Sequence, residues 1–140
     1  MLEYIIEAAK NFSRHQLEYA SDEVDQLPQM RTFIAYIDVT DSHQKAYRIY
    51  TAYEAELMQQ IANVYLFEEE SDEETLREMT LEVANMIVGS AKVLSEEDGK
   101  NPFTISTPHF VKNDIFDIEC DKKQTLKVDG KIMHIAIKEL

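Results

Sequence analysis

Glu82 and Asn85 stand three positions apart in Glu82-Val83-Ala84-Asn85-Met86-Ile87-Val88-Gly89, a stretch free of proline. On a helix, residues at this spacing are surface neighbours, so a carboxylate and a carboxamide would project together from one rigid support. An ionised carboxylate only accepts hydrogen bonds, whereas a carboxamide both donates and accepts them. The chemistry open to such a pair is that of a preorganised polar site. By itself the pair means little. Seventeen glutamates and five asparagines in 140 residues would produce about one Glu-x-x-Asn in every two chains of this composition.

Context sharpens it. Ile105-Ser106-Thr107-Pro108 follows, with twenty-two residues between Asn85 and Pro108; a proline falls at a preset position here with only about a 2% chance. This pattern resembles the CheC/CheX/FliY phosphatases of bacterial chemotaxis, whose signature is Glu-x-x-Asn on a helix and a proline at that distance. The likeness spans roughly residues 30–140 and is strongest from Leu76 to Pro108. One Glu-x-x-Asn, rather than two, is closer to CheX than to CheC. The chain departs from the family in having Glu78 four residues before Glu82, where Asp or Ser is common, and in lacking a glycine common in the first hairpin.

The resemblance implies dephosphorylation of the aspartyl phosphate of a CheY-like response regulator. In that picture Asn85 orients a water for in-line attack and Glu82 pairs with the regulator's lysine. It implies no cofactor of the chain's own, since the regulator carries the Mg²⁺, and it carries a homodimer with it. Phosphoryl transfer asks chiefly for alignment and charge stabilisation, and an acceleration on the order of 100-fold needs only about 2.7 kcal/mol. Two other readings keep the same helix: a noncatalytic module that binds a receiver domain or a flagellar switch component, and a domain that now only self-associates. Retention of Glu82, Asn85 and Pro108 weighs against the last.

The elements that must position the pair are legible from periodicity. Residues 2–19 place Leu2, Ile5, Ile6, Ala9, Phe12 and Gln16 on one face of a first helix, whose end runs into Ser21 to Pro28. Phe33–Val39 and Ala46–Tyr50 read as strands of a hairpin around Thr40 to Gln44. Thr51 and Glu54 have capping-box spacing, predicting a second helix from about Ala52 that buries Tyr53, Leu57, Ile61 and Val64. Ser71 and Glu74 repeat that signature and predict a third helix to about Leu94, with Leu76, Met79, Val83, Met86, Ile87, Ser90 and Leu94 as its buried stripe. Glu82 then falls on the flank of that stripe, with Glu78, Gly89 and Asn85 progressively nearer solvent.

Phe103–Ser106, Ile115–Cys120, Thr125–Val128 and Ile132–Ile137 read as further strands, the last two joined by Asp129-Gly130, a tight-hairpin signal. The fold class expected is α+β, three helices on a mainly antiparallel sheet of about six strands, in one domain over residues 1–140. Ile115–Cys120 alternates polar with apolar residues, as a strand buried on one face does, and at a sheet edge it would pair with a second copy. Gly89, one turn beyond Asn85, costs a helix about 1 kcal/mol relative to Ala. Room for a partner's loops and close helix packing both account for it. Pro108 is read as shaping its loop and is left out of the site.

Composition excludes other classes. A formal net charge of −13 repels phosphodiester backbones and anionic lipid. The run Glu68 to Glu74 reads as a solvated loop. Three glycines leave no phosphate-binding loop, and His15, His43, His109 and His134 lack metal-site spacing. The thirteen Tyr and Phe residues read as core packing. The start is an amphipathic helix rather than a secretory leader. One cysteine, Cys120, reads as a small core hydrophobe and agrees with a reducing cytoplasm.

Overall fold

In chain order the elements are α1 (Leu2–Gln16), β1 (Ser21–Val24), β2 (Arg31–Asp41), β3 (Ala46–Glu54), α2 (Ala55–Leu66), α3 (Glu73–Asp98), β4 (Phe103–Ile105), β5 (His109–Ile115), β6 (Lys122–Val128) and β7 (Lys131–Glu139). The structure is a computed structural model and describes residues 1–25, 29–99 and 102–140. Its seven strands form one sheet, ordered β1-β6-β7-β3-β2-β4, with β5 also on β2. Every pairing is antiparallel. The free edge of β2 is divided between two short strands, β5 along Arg31–Tyr36 and β4 along Val39–Asp41. The expected α+β class stands, with one strand more than anticipated.

Side chains alternate across the sheet. Phe33, Ala35, Ile37 and Val39 of β2, with Ile49 and Tyr53 of β3 and Met133 and Ile135 of β7, join the main core with the three helices. Ile34, Tyr50, Ala52 and Ala136 point to the other face, where a second apolar cluster includes Phe116 and half-buried Ile118 and Cys120. This overturns one expected strand: of Ile115–Cys120 only Ile115 lies in a strand, as the last residue of β5. Phe116, Ile118 and Cys120 lie on the back of the sheet while Asp117 and Glu119 stay exposed. The alternation is genuine, but it records one-sided burial without ladder hydrogen bonds. The expected edge for pairing with a second copy is therefore not formed by that segment.

Helix boundaries differ from the periodicity reading where nonlocal partners intervene. Leu17 caps α1, and Glu18 takes a left-handed φ of 63°, so the helix stops at Gln16, itself exposed. Ser21–Val24 then pairs with β6, a strand that polar Ser-Asp-Glu-Val does not announce. Pro28, where the first helix's tail was expected to end, lies outside the described residues. Thr51–Glu54 belongs to β3 and is held on both sides, Tyr53 facing Phe33 on β2 and Met133 on β7. Glu54 provides no side-chain cap for α2; its carboxylate accepts the Ile132 N–H at 3.0 Å. Tyr53, Leu57 and Ile61 are buried as expected, Val64 is not. The Asp129-Gly130 turn forms, with φ of 49° and 77°.

His134 of β7 is buried on the back face, where its Nδ1 and the Thr125 hydroxyl are 2.8 Å apart and its ring meets Phe116 at 5.6 Å. Burial, followed by the nearby Lys123 charge, lowers its pKa from 6.5 to about 4. No helix among the described residues is long and apolar enough to cross a membrane.

Candidate functional site

The 26-residue helix α3 carries the pair. Its N-cap is Asp72 rather than Ser71: the Asp72 carboxylate accepts the Thr75 N–H at 2.8 Å, and that bond holds its pKa below the ordinary range. Ser71 instead ties the preceding loop to α2, donating its N–H to Gln59 Oε1 at 2.9 Å and its hydroxyl to Glu68 at 2.8 Å. Glu73 and Glu74 lie in the first turn, where the helix dipole favours acids. Gly99, with φ of 66°, ends α3, well beyond the expected Leu94.

The buried stripe is wider than periodicity predicted and turned to one side. Leu76, Met79, Val83 and Ile87 are buried as expected, and Thr80, Ala84, Val88, Ala91 and Ser95 join them. Ser90, expected in the stripe, is exposed, and Met86 and Leu94 are half-buried. Small Ala84 and Ala91 let α3 approach its neighbours; Thr80 returns its hydroxyl to the Leu76 carbonyl at 2.7 Å, so its burial leaves nothing unsatisfied. At roughly 100° per residue, this rotation puts Glu82 nearly opposite the buried arc rather than on its flank.

Glu82 and Asn85 are both exposed, and among the described residues neither has a hydrogen-bond or ion-pair partner. Between them and the C-terminal end of α3, the outer face presents Gly89 and then Val93, 51% exposed. A Cβ built on Gly89 would meet nothing within 4 Å, which removes close packing as its explanation. Shallow grooves run along both flanks of this ridge. One, of about 380 Å³, is lined by Tyr65 and Leu66 of α2 and by Thr75, Glu78, Met79, Glu82 and Met86 of α3. The other, of about 480 Å³, lies between Glu74, Arg77, Glu78 and Leu81 of α3 and Phe110 of β5, with the Arg77 guanidinium 4.5 Å above the Phe110 ring. Glu78 thus borders both grooves. That Tyr65 and Leu66 share a groove with Glu82, and Phe110 one with Glu78 a turn earlier, is invisible to periodicity, because α2 and β5 reach α3 only through tertiary packing.

The acidic run before α3 lies exposed at Glu68, Glu69 and Glu70, as expected of a solvated loop. Pro108 is half-buried between β4 and β5. Among the described residues no three His, Cys, Asp or Glu side chains converge in a way that could hold a metal ion. Two free polar side chains on an exposed helix face between open grooves can enter a pocket that belongs to another macromolecule.

An antiparallel sheet backed by three helices, with an exposed carboxylate and carboxamide one turn apart on α3, defines an α+β protein with a polar pair on the outer face of its longest helix. The family described as chemotaxis phosphatase CheX matches residues 33–129, and the chain belongs to that family. Solved relatives share the fold over almost the whole chain. Chemotaxis protein CheX from Vibrio vulnificus is 18% identical with a TM-score of 0.78, covering 98% of this chain and 97% of its own. A CheX from Desulfovibrio desulfuricans is 15% identical with a TM-score of 0.77, covering 99% and 97%. The structure of the CheX–CheY–BeF₃–Mg²⁺ complex from Borrelia burgdorferi matches at 24% identity and a TM-score of 0.71, covering 99% and 97%. No curated protein matches the sequence.

Proposed function

We propose that the outer face of α3 enters the phosphorylation pocket of a CheY-like receiver domain and speeds hydrolysis of its aspartyl phosphate. The observation that carries this is the outer face of α3 with Glu82 and Asn85 exposed and unpartnered on it, on a chain of the CheX family. That a CheX from Borrelia burgdorferi forms a complex with CheY, BeF₃ and Mg²⁺ supports the choice of partner. The receiver supplies the Mg²⁺ and the phosphorylated aspartate. Asn85 accepts one hydrogen bond from a water and donates another to hold it in line. The water oxygen bonds to phosphorus as the bond from phosphorus to the aspartate oxygen breaks, releasing inorganic phosphate and the free carboxylate, with the surplus proton passing to solvent. Glu82 pairs with the receiver's lysine and fixes the approach. Burial of Val83, Ala84, Ile87 and Val88 holds the backbone between and beyond the two side chains, so only the side chains themselves must order on docking.

The same reading places the protein in the cytoplasm with its receivers, as a homodimer. The test is the decay of a phosphorylated receiver with Mg²⁺, alone, with the protein, and with its Asn85→Ala variant. Acceleration by wild type on the order of 100-fold, lost in the variant, is expected. Complex formation with unchanged decay would replace catalysis by binding alone.

A further inference from the structure

We infer that Gly89 is a clearance residue, kept free of a side chain so that the rim of the receiver's pocket can close against α3 and let Asn85 reach full depth. This rests on the receiver reading above. Gly99 and Gly130 both have positive φ, 66° and 77°, which accounts for them in this chain. Gly89 has no such need: it lies inside α3 with ordinary helical backbone. Nor does packing require it, since a Cβ there would meet nothing within 4 Å. A residue unfavourable in a helix, with no conformational or packing reason inside the molecule, points to something outside it.

Its position says what. Gly89 follows Asn85 by one turn and, at roughly 100° per residue, lies in azimuth between Asn85 and Glu82. One turn separates Cβ positions by about 5–6 Å. A pocket wide enough to admit a carboxamide must bring its rim to the helix at that distance, and at Gly89 the rim meets bare backbone. A methyl group there would hold the two backbones apart and withdraw Asn85 by the same amount, and misplacement by about 1 Å can reduce turnover about 100-fold. Val93, exposed one turn further along the same face, supplies apolar surface beyond the gap.

Gly89→Ala and Gly89→Leu test this, because both substituents are good helix formers at an open site and leave the fold intact. Thermal midpoint, affinity for a receiver activated with beryllofluoride and Mg²⁺, and decay of the phosphorylated receiver are measured for the full chain. The midpoint should rise by about 3 °C, while binding weakens about 5-fold for Ala and about 50-fold for Leu and the maximal rate at saturating receiver falls as well. Variants that are stabilised yet bind and turn over like wild type overturn the clearance role and leave the phosphatase reading intact. Wild type that binds the receiver without hastening decay, with Leu weakening that binding, sinks the phosphatase reading and keeps the clearance role. Wild type that binds no receiver overturns both.

Discussion

Acidification should destabilise this protein through one imidazole. His134 is buried on the back of the sheet, its Nδ1 2.8 Å from the Thr125 hydroxyl and its ring against Phe116. Its pKa is lowered from 6.5 to about 4, first by burial and then by Lys123. A depressed value means that the unfolded chain binds the proton more readily, so stability rises with pH across this window. The contribution is whole above about pH 6.5 and is lost as pH falls through 4. At pH 5 the two values give a loss on the order of 2 kcal/mol, and well below pH 4 on the order of 3 kcal/mol. Against a typical stability of about 5–15 kcal/mol that is a large fraction. The assay is urea unfolding at pH 7.5 and pH 5 of wild type and His134→Gln, which keeps a neutral hydrogen-bonding group beside Thr125. Carboxylates titrate in both proteins and cancel in the difference. Wild type should lose about 2 kcal/mol more than the variant, a midpoint difference of about 1 M urea. Equal losses in the two proteins would refute the buried neutral imidazole.

On the proposed docking, Glu82→Gln removes the charge offered to the receiver's lysine and should raise the KM for the phosphorylated receiver about tenfold and flatten its dependence on ionic strength; a salt titration of the initial rate reads both. Ile87→Ala, at a site 1% exposed under the outer face of α3, should destabilise by about 3 kcal/mol, measured by urea unfolding, whereas Asn85→Ala, at an exposed position whose carboxamide makes no hydrogen bond, should raise stability by about 0.5 kcal/mol through helix propensity.

Much of the candidate site was legible because its residues are local. Glu82, Asn85 and the helix that carries them fall within a few turns, and helix periodicity is a short-range property. The phase of that helix was less legible. Apolar residues alone placed Ser90 inside and overlooked Thr80, Ala84 and Ser95, since a hydroxyl bonded to its own helix, or an alanine under a neighbouring element, is buried without being strongly hydrophobic. Strand limits failed for a related reason. Thr51–Glu54 has the composition of a helix start, yet β2 and β7 hold it in register, and no local signal reports a ladder partner about twenty or eighty residues away. His109–Ile115 was missed beside β2, while the alternating Phe116–Cys120 that follows covers the sheet instead of joining it.

Periodicity and turn chemistry were enough for the individual helices and strands behind the α+β reading, the central hairpin, the Asp129-Gly130 turn and the Glu-x-x-Asn pair, because each is written in residues a few positions apart. That the pair stands clear of other elements, that Glu78 borders a groove on either side of α3, and that Gly89 has open space above it emerged from the assembled fold. Those properties depend on which elements approach α3 and which stay away, and that is set by burial summed over the whole chain.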